Sequence, residues 1–82
     1  MSKTEIECIY RARIDFVCDK PEAEDKVLAF AFAIRHVNVE STGGGPAWGN
    51  YLIVEGENRD DVCIAVREIE KRIRRFKGGR IL

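Results

Sequence analysis

Residues 5–19 alternate between apolar and polar positions (E-I-E-C-I-Y-R-A-R-I-D-F-V-C-D). Ile6, Cys8, Tyr10, Ala12, Ile14, Phe16 and Cys18 occupy the even positions, and the odd ones are mostly charged. Successive side chains of a strand point to opposite faces, so a period of two predicts a strand with one buried face. At about 3.3 Å per residue it would be unusually long, and a bulge or frayed ends are expected. This strand is the expected centre of the fold.

A helix start follows. Asp19 or Lys20 caps, Pro21 presets φ in the first turn, and Glu22, Glu24 and Asp25 suit the positive end of the helix dipole. The helix is predicted to run to about His36. Residues 27–34 (V-L-A-F-A-F-A-I) are apolar throughout, with Val27, Phe30, Ala31 and Ile34 on one side and Leu28, Phe32 and Arg35 on another. A two-layer domain covers one such face, so the second suggests a subunit contact. Phe30 and Phe32 alternating with alanine also fit a strand, but the alanines and the upstream cap favour helix.

Residues 36–40 (H-V-N-V-E) predict a short second strand, and 41–49 (S-T-G-G-G-P-A-W-G) a hairpin loop or wide turn. A third strand is expected over 50–55, with Leu52 and Val54 on one face and Tyr51 and Ile53 on the other. After a turn, Asn58 caps a second helix, with Asp61 three residues on as in a capping box. Val62, Val66, Ile69, Ile73 and Phe76 follow at helical spacing, and Gly78-Gly79 ends the helix. Residues 80–82 are a stub of a last strand or a tail.

The order β-α-β-β-α, with a possible final β, predicts one α+β domain over residues 1–82. It matches the split-βαβ arrangement of ferredoxin-like domains, a two-layer sandwich of one antiparallel sheet with both helices on one face. The first strand would lie between the third and the C-terminal stub.

Composition adds two points. A chain of 82 residues buries only about 60–65% of its unfolded surface, so an oligomer interface would add needed stability. Formal charge is zero, yet residues 1–61 hold 7 basic and 12 acidic side chains whereas 62–82 hold 7 and 2. Cys8 and Cys18 share a strand face at roughly 33 Å, beyond disulfide reach, and Cys63 has no obvious mate. Reduced, buried thiols and a cytoplasmic setting are expected. No apolar run approaches the length of a membrane span.

Candidate chemistry is sparse. Gly43-Gly44-Gly45 is followed by Pro46-Ala47-Trp48 and a strand, not by the Lys-Ser/Thr and helix of a phosphate loop. It reads as a hairpin connection, or as a binding loop with Trp48 as anchor; Trp48 equally could fold back over the sheet end. Arg67, Lys71, Arg74 and Arg75 lie opposite the second helix's apolar stripe and could track phosphates, or simply form a solvated face that complements the helix dipole. The stacking aromatics of RNA-recognition sheets are not matched. The open sheet face would show Ile9, Arg11, Arg13, Tyr51 and Ile53, which suits contact with a protein or a second subunit.

His36 is the only histidine and reads as a strand-edge residue; Asp60-Asp61 reads as a helix start, and Glu55 and Glu57 as turn flanks. Cys8, Cys18 and Cys63 read as core. No catalytic, metal or cofactor set emerges. The expected function is a non-enzymatic module that binds a protein partner, as a homodimer, through Trp48, Tyr51, Arg11 and Arg13. Small inhibitors made by phages and mobile elements, anti-CRISPR proteins among them, are often compact α+β chains, an analogy of size and style. The alternatives are a nucleic-acid-binding module using Arg67, Lys71, Arg74 and Arg75, and a small-ligand regulatory domain with the 43–45 loop as its lip.

Overall fold

The computed structural model describes residues 9–43 and 50–82. In chain order its elements are β1 (Tyr10–Val17), α1 (Pro21–Phe32), β2 (Asn38–Gly43), β3 (Asn50–Gly56), α2 (Arg59–Arg75) and β4 (Arg80–Ile81). The strands form one antiparallel sheet in the order β2-β3-β1-β4. This is an α+β architecture with β1 between β3 and the C-terminal stub. The stub therefore pairs.

Period-two alternation builds the core from the sheet side. Ile14 and Phe16 of β1, Cys18 just beyond it, and Leu52 and Val54 of β3 are buried on one face. Register aligns them, with Ile14 opposite Leu52 and Ala12 opposite Val54. Val27 and Ala31 of α1 and Val62, Ala65, Ile69 and Ile73 of α2 complete the same cluster, so both helices cover one face. Val66 and Phe76, expected in the stripe, pack at its margin, and Ala65 takes a fully interior place. Only a small side chain lets α2 approach the sheet there.

Tyr10 departs from the expected buried series. Its side chain is 43% exposed although it shares parity with Ile14 and Phe16. It stands at the beginning of β1, bordering an open groove between this strand and α2. Ile6 and Cys8 lie outside the described residues.

α1 is shorter than expected, ending at Phe32 and not near His36. To bring Asn38 opposite Glu55, the chain must reverse after the helix. Its last turn tightens, with Ala33 N–H shared between the Ala29 and Phe30 carbonyls. His36 then adopts φ 71, a left-handed conformation costing a non-glycine residue about 1–2 kcal/mol. His36 is thus a turn residue outside β2. The strand runs further at its other end, taking Ser41, Thr42 and Gly43 from the expected loop.

The helix ends follow their local signals unequally. At α2, the Asn58 side-chain oxygen accepts from the backbone N–H of Asp60 (2.8 Å) and Asp61 (3.3 Å), satisfying two otherwise unpaired donors. At α1 the cap position is Lys20, which makes no side-chain cap bond. Glu24 instead reaches back to accept from Cys18 N–H at 3.3 Å. Beyond α2, Gly78 has φ 70, and Gly79 N–H donates to the Phe76 carbonyl at 2.9 Å, turning the chain into β4.

Candidate functional site

The face of the sheet away from the helices gathers the expected contact residues. On β1 the odd positions Arg11, Arg13, Asp15 and Val17 project there, and on β3 Tyr51, Ile53 and Glu55. Arg11 stands opposite Glu55, and its Nε lies 3.0 Å from the Glu55 carboxylate. Arg13 bonds the Asp15 carboxylate through Nε (3.2 Å) and Nη2 (3.1 Å). Its guanidinium also lies 4.1 Å from the centre of the Tyr51 ring. Asn38 and Glu40 of β2 extend the same face beyond Glu55 and Ile53.

Solvent-exposed ion pairs contribute about 0–1 kcal/mol and an exposed cation–π contact about 0.5–1 kcal/mol. These contacts add little to folding. They do bring two arginines and a tyrosine together on one face, and those residue types dominate binding energy at protein contacts. Of the four expected contact residues, Arg11, Arg13 and Tyr51 are together; Trp48 lies outside the described residues, as does most of the glycine loop.

The basic residues of α2 form a ridge but not a free one. Lys71 Nζ lies 3.6 Å from Glu68, and Arg74 Nη2 lies 3.9 Å from Glu70. Arg75 is exposed, whereas Arg67 borders a groove between α2 and β1. Arg72 covers the helix–helix junction, its guanidinium 4.4 Å from the Phe30 ring centre.

Two groupings were not legible from spacing. His36, Glu55, Glu57 and Asp61 border one cleft of about 450 Å³ at the end of the sheet. They come from three places in the chain and meet only because the β2 and α2 starts abut the β3 end. Tyr10, Ala12, Arg59, Val62 and Val66 line the β1–α2 groove together with Arg11 and Arg67. Exposed Tyr10 at a core-parity position is its one local signal. Among the described residues, no group of three or more His, Cys, Asp or Glu side chains is placed to hold a metal ion.

The thiols divide. Cys63, expected in the core, is exposed because it sits on the flank of α2 away from the apolar stripe; Cys18 is buried. Burial first, and then the carboxylates of Glu24 and Asp19, push the Cys18 thiol above its ordinary pKa of 9.0. A raised folded value means that the unfolded chain loses this proton first. Through this thiol, stability is unchanged well below pH 9.0 and falls as pH rises from there through the raised folded value. In a Cys8→Ser background, Ellman's reagent should label Cys63 at once and Cys18 only on unfolding. The alkaline loss in urea midpoint should shrink in Cys18→Ala. Prompt labelling of two thiols, or an unchanged alkaline slope, contradicts the burial of Cys18.

The chain matches no family model, no curated protein and no solved structure.

Proposed function

We propose that this chain is a small non-enzymatic binding module that acts through protein–protein contact on the open face of its sheet. The observation that carries this reading is the grouping of Arg11, Arg13 and Tyr51 on a face that neither helix covers. A phage- or mobile-element-type inhibitor working inside the cytoplasm is the biological role we favour, by analogy of size and style. The finer fold reading is ferredoxin-like, supported by the order β2-β3-β1-β4 and by antiparallel neighbours on both sides of β1.

Self-association belongs to the same proposal. Phe32 on α1, 54% exposed, supports a homodimer contact on the outer side of that helix. The nucleic-acid alternative is weaker on electrostatic grounds, because Glu68 and Glu70 stand beside Lys71 and Arg74. The ligand-domain alternative rests on residues 43–45, of which only Gly43 is described.

Light-scattering mass at low and moderate salt, with and without mixed single- and double-stranded oligonucleotides, tests these readings together with cross-linked capture from source cells. A partner retained by the parent chain and by Phe32→Ala, but lost with Arg13→Glu and with Tyr51→Ala, supports the open face. Capture indifferent to both variants overturns it. A mass shift with oligonucleotide that fades as salt rises moves the function to Arg67, Lys71, Arg74 and Arg75.

A further inference from the structure

Resting on that protein-binding reading, we propose that the free edge of β1 takes up an extended, alternating apolar and acidic segment of the partner as an added strand. Leu82 N–H donates to the Asp15 carbonyl at 2.8 Å, so the odd residues of β1 aim their backbone groups toward β4. The even ones aim theirs at β3, as antiparallel alternation requires. β4 pairs with β1 only at Phe16 and Val17. Among the described residues nothing pairs with Arg11 or Arg13 on that side. Their N–H and C=O groups form an open template, the arrangement by which a sheet edge captures an extended peptide.

Beside this edge lies the groove of about 400 Å³ floored by Ala12, Val62 and Val66. A strand added at the edge would send alternate side chains into it and the others onto the open face, opposite Arg11 and Arg13. The groove-facing side chains meet apolar walls. The rim carries Arg59 and Arg67, which have no ion pair among the described residues, and Arg11, which is paired with Glu55. Among the described residues the only carboxylate bordering the groove, Glu70, is within 3.9 Å of Arg74. Charge complementarity therefore selects an acidic segment.

A second copy of this chain fits the edge poorly. In an antiparallel edge contact, backbone groups of odd residues meet those of odd residues. Within Arg11 to Arg13, every such register sets arginine against arginine, a like-charge contact that the Glu55 and Asp15 carboxylates beside them offset only in part. The occupant is a different chain.

The test uses a tether. The chain leaves β4 at Leu82 running antiparallel to β1, so a Val-Glu-Val-Glu-Val extension after Leu82 continues along the free edge. Its valines face the groove and its glutamates meet Arg13 and Arg11. High effective concentration makes even a weak strand visible. The expected result is a melting temperature raised by about 4–8 °C, with slowed exchange of the Arg11 and Arg13 amides. A Val-Lys-Val-Lys-Val extension should give no rise, a Val-Pro-Val-Pro-Val extension, which removes the two N–H groups aimed at the Arg13 and Arg11 carbonyls, should leave both amides unprotected, and Arg13→Glu should cancel the gain. No rise and no protection with the glutamate form overturns the edge as a site; equal rises with glutamate and lysine overturn the acidic partner. A parent dimer that becomes a monomer on extension assigns the edge to a second copy and also overturns the proposal. The tether needs no captured partner, so its failure leaves the open-face reading to its own capture experiment.

Discussion

Phe16→Ala should remove about 3–5 kcal/mol of folding stability, the largest single loss expected in this domain. Phe16 has no exposed surface, lies in the central strand between β3 and β4, and belongs to the one cluster that both helices share. Alanine leaves a cavity that the surrounding strands and helices close only in part. Native domains are stable by only about 5–15 kcal/mol, and a chain of this size belongs near the lower end. The variant should be largely unfolded at 37 °C by far-ultraviolet circular dichroism, or show a strongly reduced urea midpoint. Phe32→Ala is the matched control: the same chemical change at a 54% exposed site should cost well under half as much. Equal midpoints for the two variants would contradict the packing of α1 and β1.

Gly79→Ala comes second, at roughly 2–3 kcal/mol, and should exceed Gly78→Ala. The order is not the one backbone conformation alone suggests, because Gly78 is the residue with φ 70. A Cβ on Gly78 would meet the side-chain carboxylate of Asp19, which is exposed and can swing away. That leaves chiefly the left-handed penalty of about 1–2 kcal/mol. A Cβ on Gly79 would run into the backbone carbonyl of Ile73, with the Phe76 carbonyl 3.0 Å away. Ile73 is fully buried and cannot retreat. The turn itself must shift, drawing β4 from β1 and breaking the bond from Leu82 to Asp15. Urea melts should rank the two variants, and amide exchange should show Val17 and Leu82 unprotected in Gly79→Ala. A costlier Gly78→Ala would place the close approach at the wrong glycine.

Both variants bear on function, since β4 limits how much of β1 remains open. Losing it would lengthen the free edge from Arg13 to Val17 and favour unspecific pairing. Short as it is, β4 separates a confined docking edge from an aggregation-prone one.

What could be read from the sequence by itself was whatever depends on neighbours in the chain. Alternation placed Ile14, Phe16, Leu52 and Val54 on one buried face, because side-chain direction in a strand is set locally. The Asn58 cap and the apolar stripe through Val62, Ile69 and Ile73 are likewise local, and both are present. Of the contact face, Arg11, Arg13 and Tyr51 were legible as outward residues of adjacent strands. Tertiary structure decided the rest. The end of α1 at Phe32 and the strained His36 follow from where β2 must start to pair with β3, a long-range demand with no local signal. Tyr10 is exposed because it borders the open groove between β1 and α2, and Cys63 because α2 turns that flank outward. The groove of Ala12, Val62 and Val66 and its arginine rim exist only once α2 lies beside β1. Pairing of residues 80 and 81 was left open by a stub of only three residues, Arg80-Ile81-Leu82, after two glycines; the reach of the turn to the edge of β1 settled it. Periodicity reports which way a side chain points, but only packing determines what it meets there.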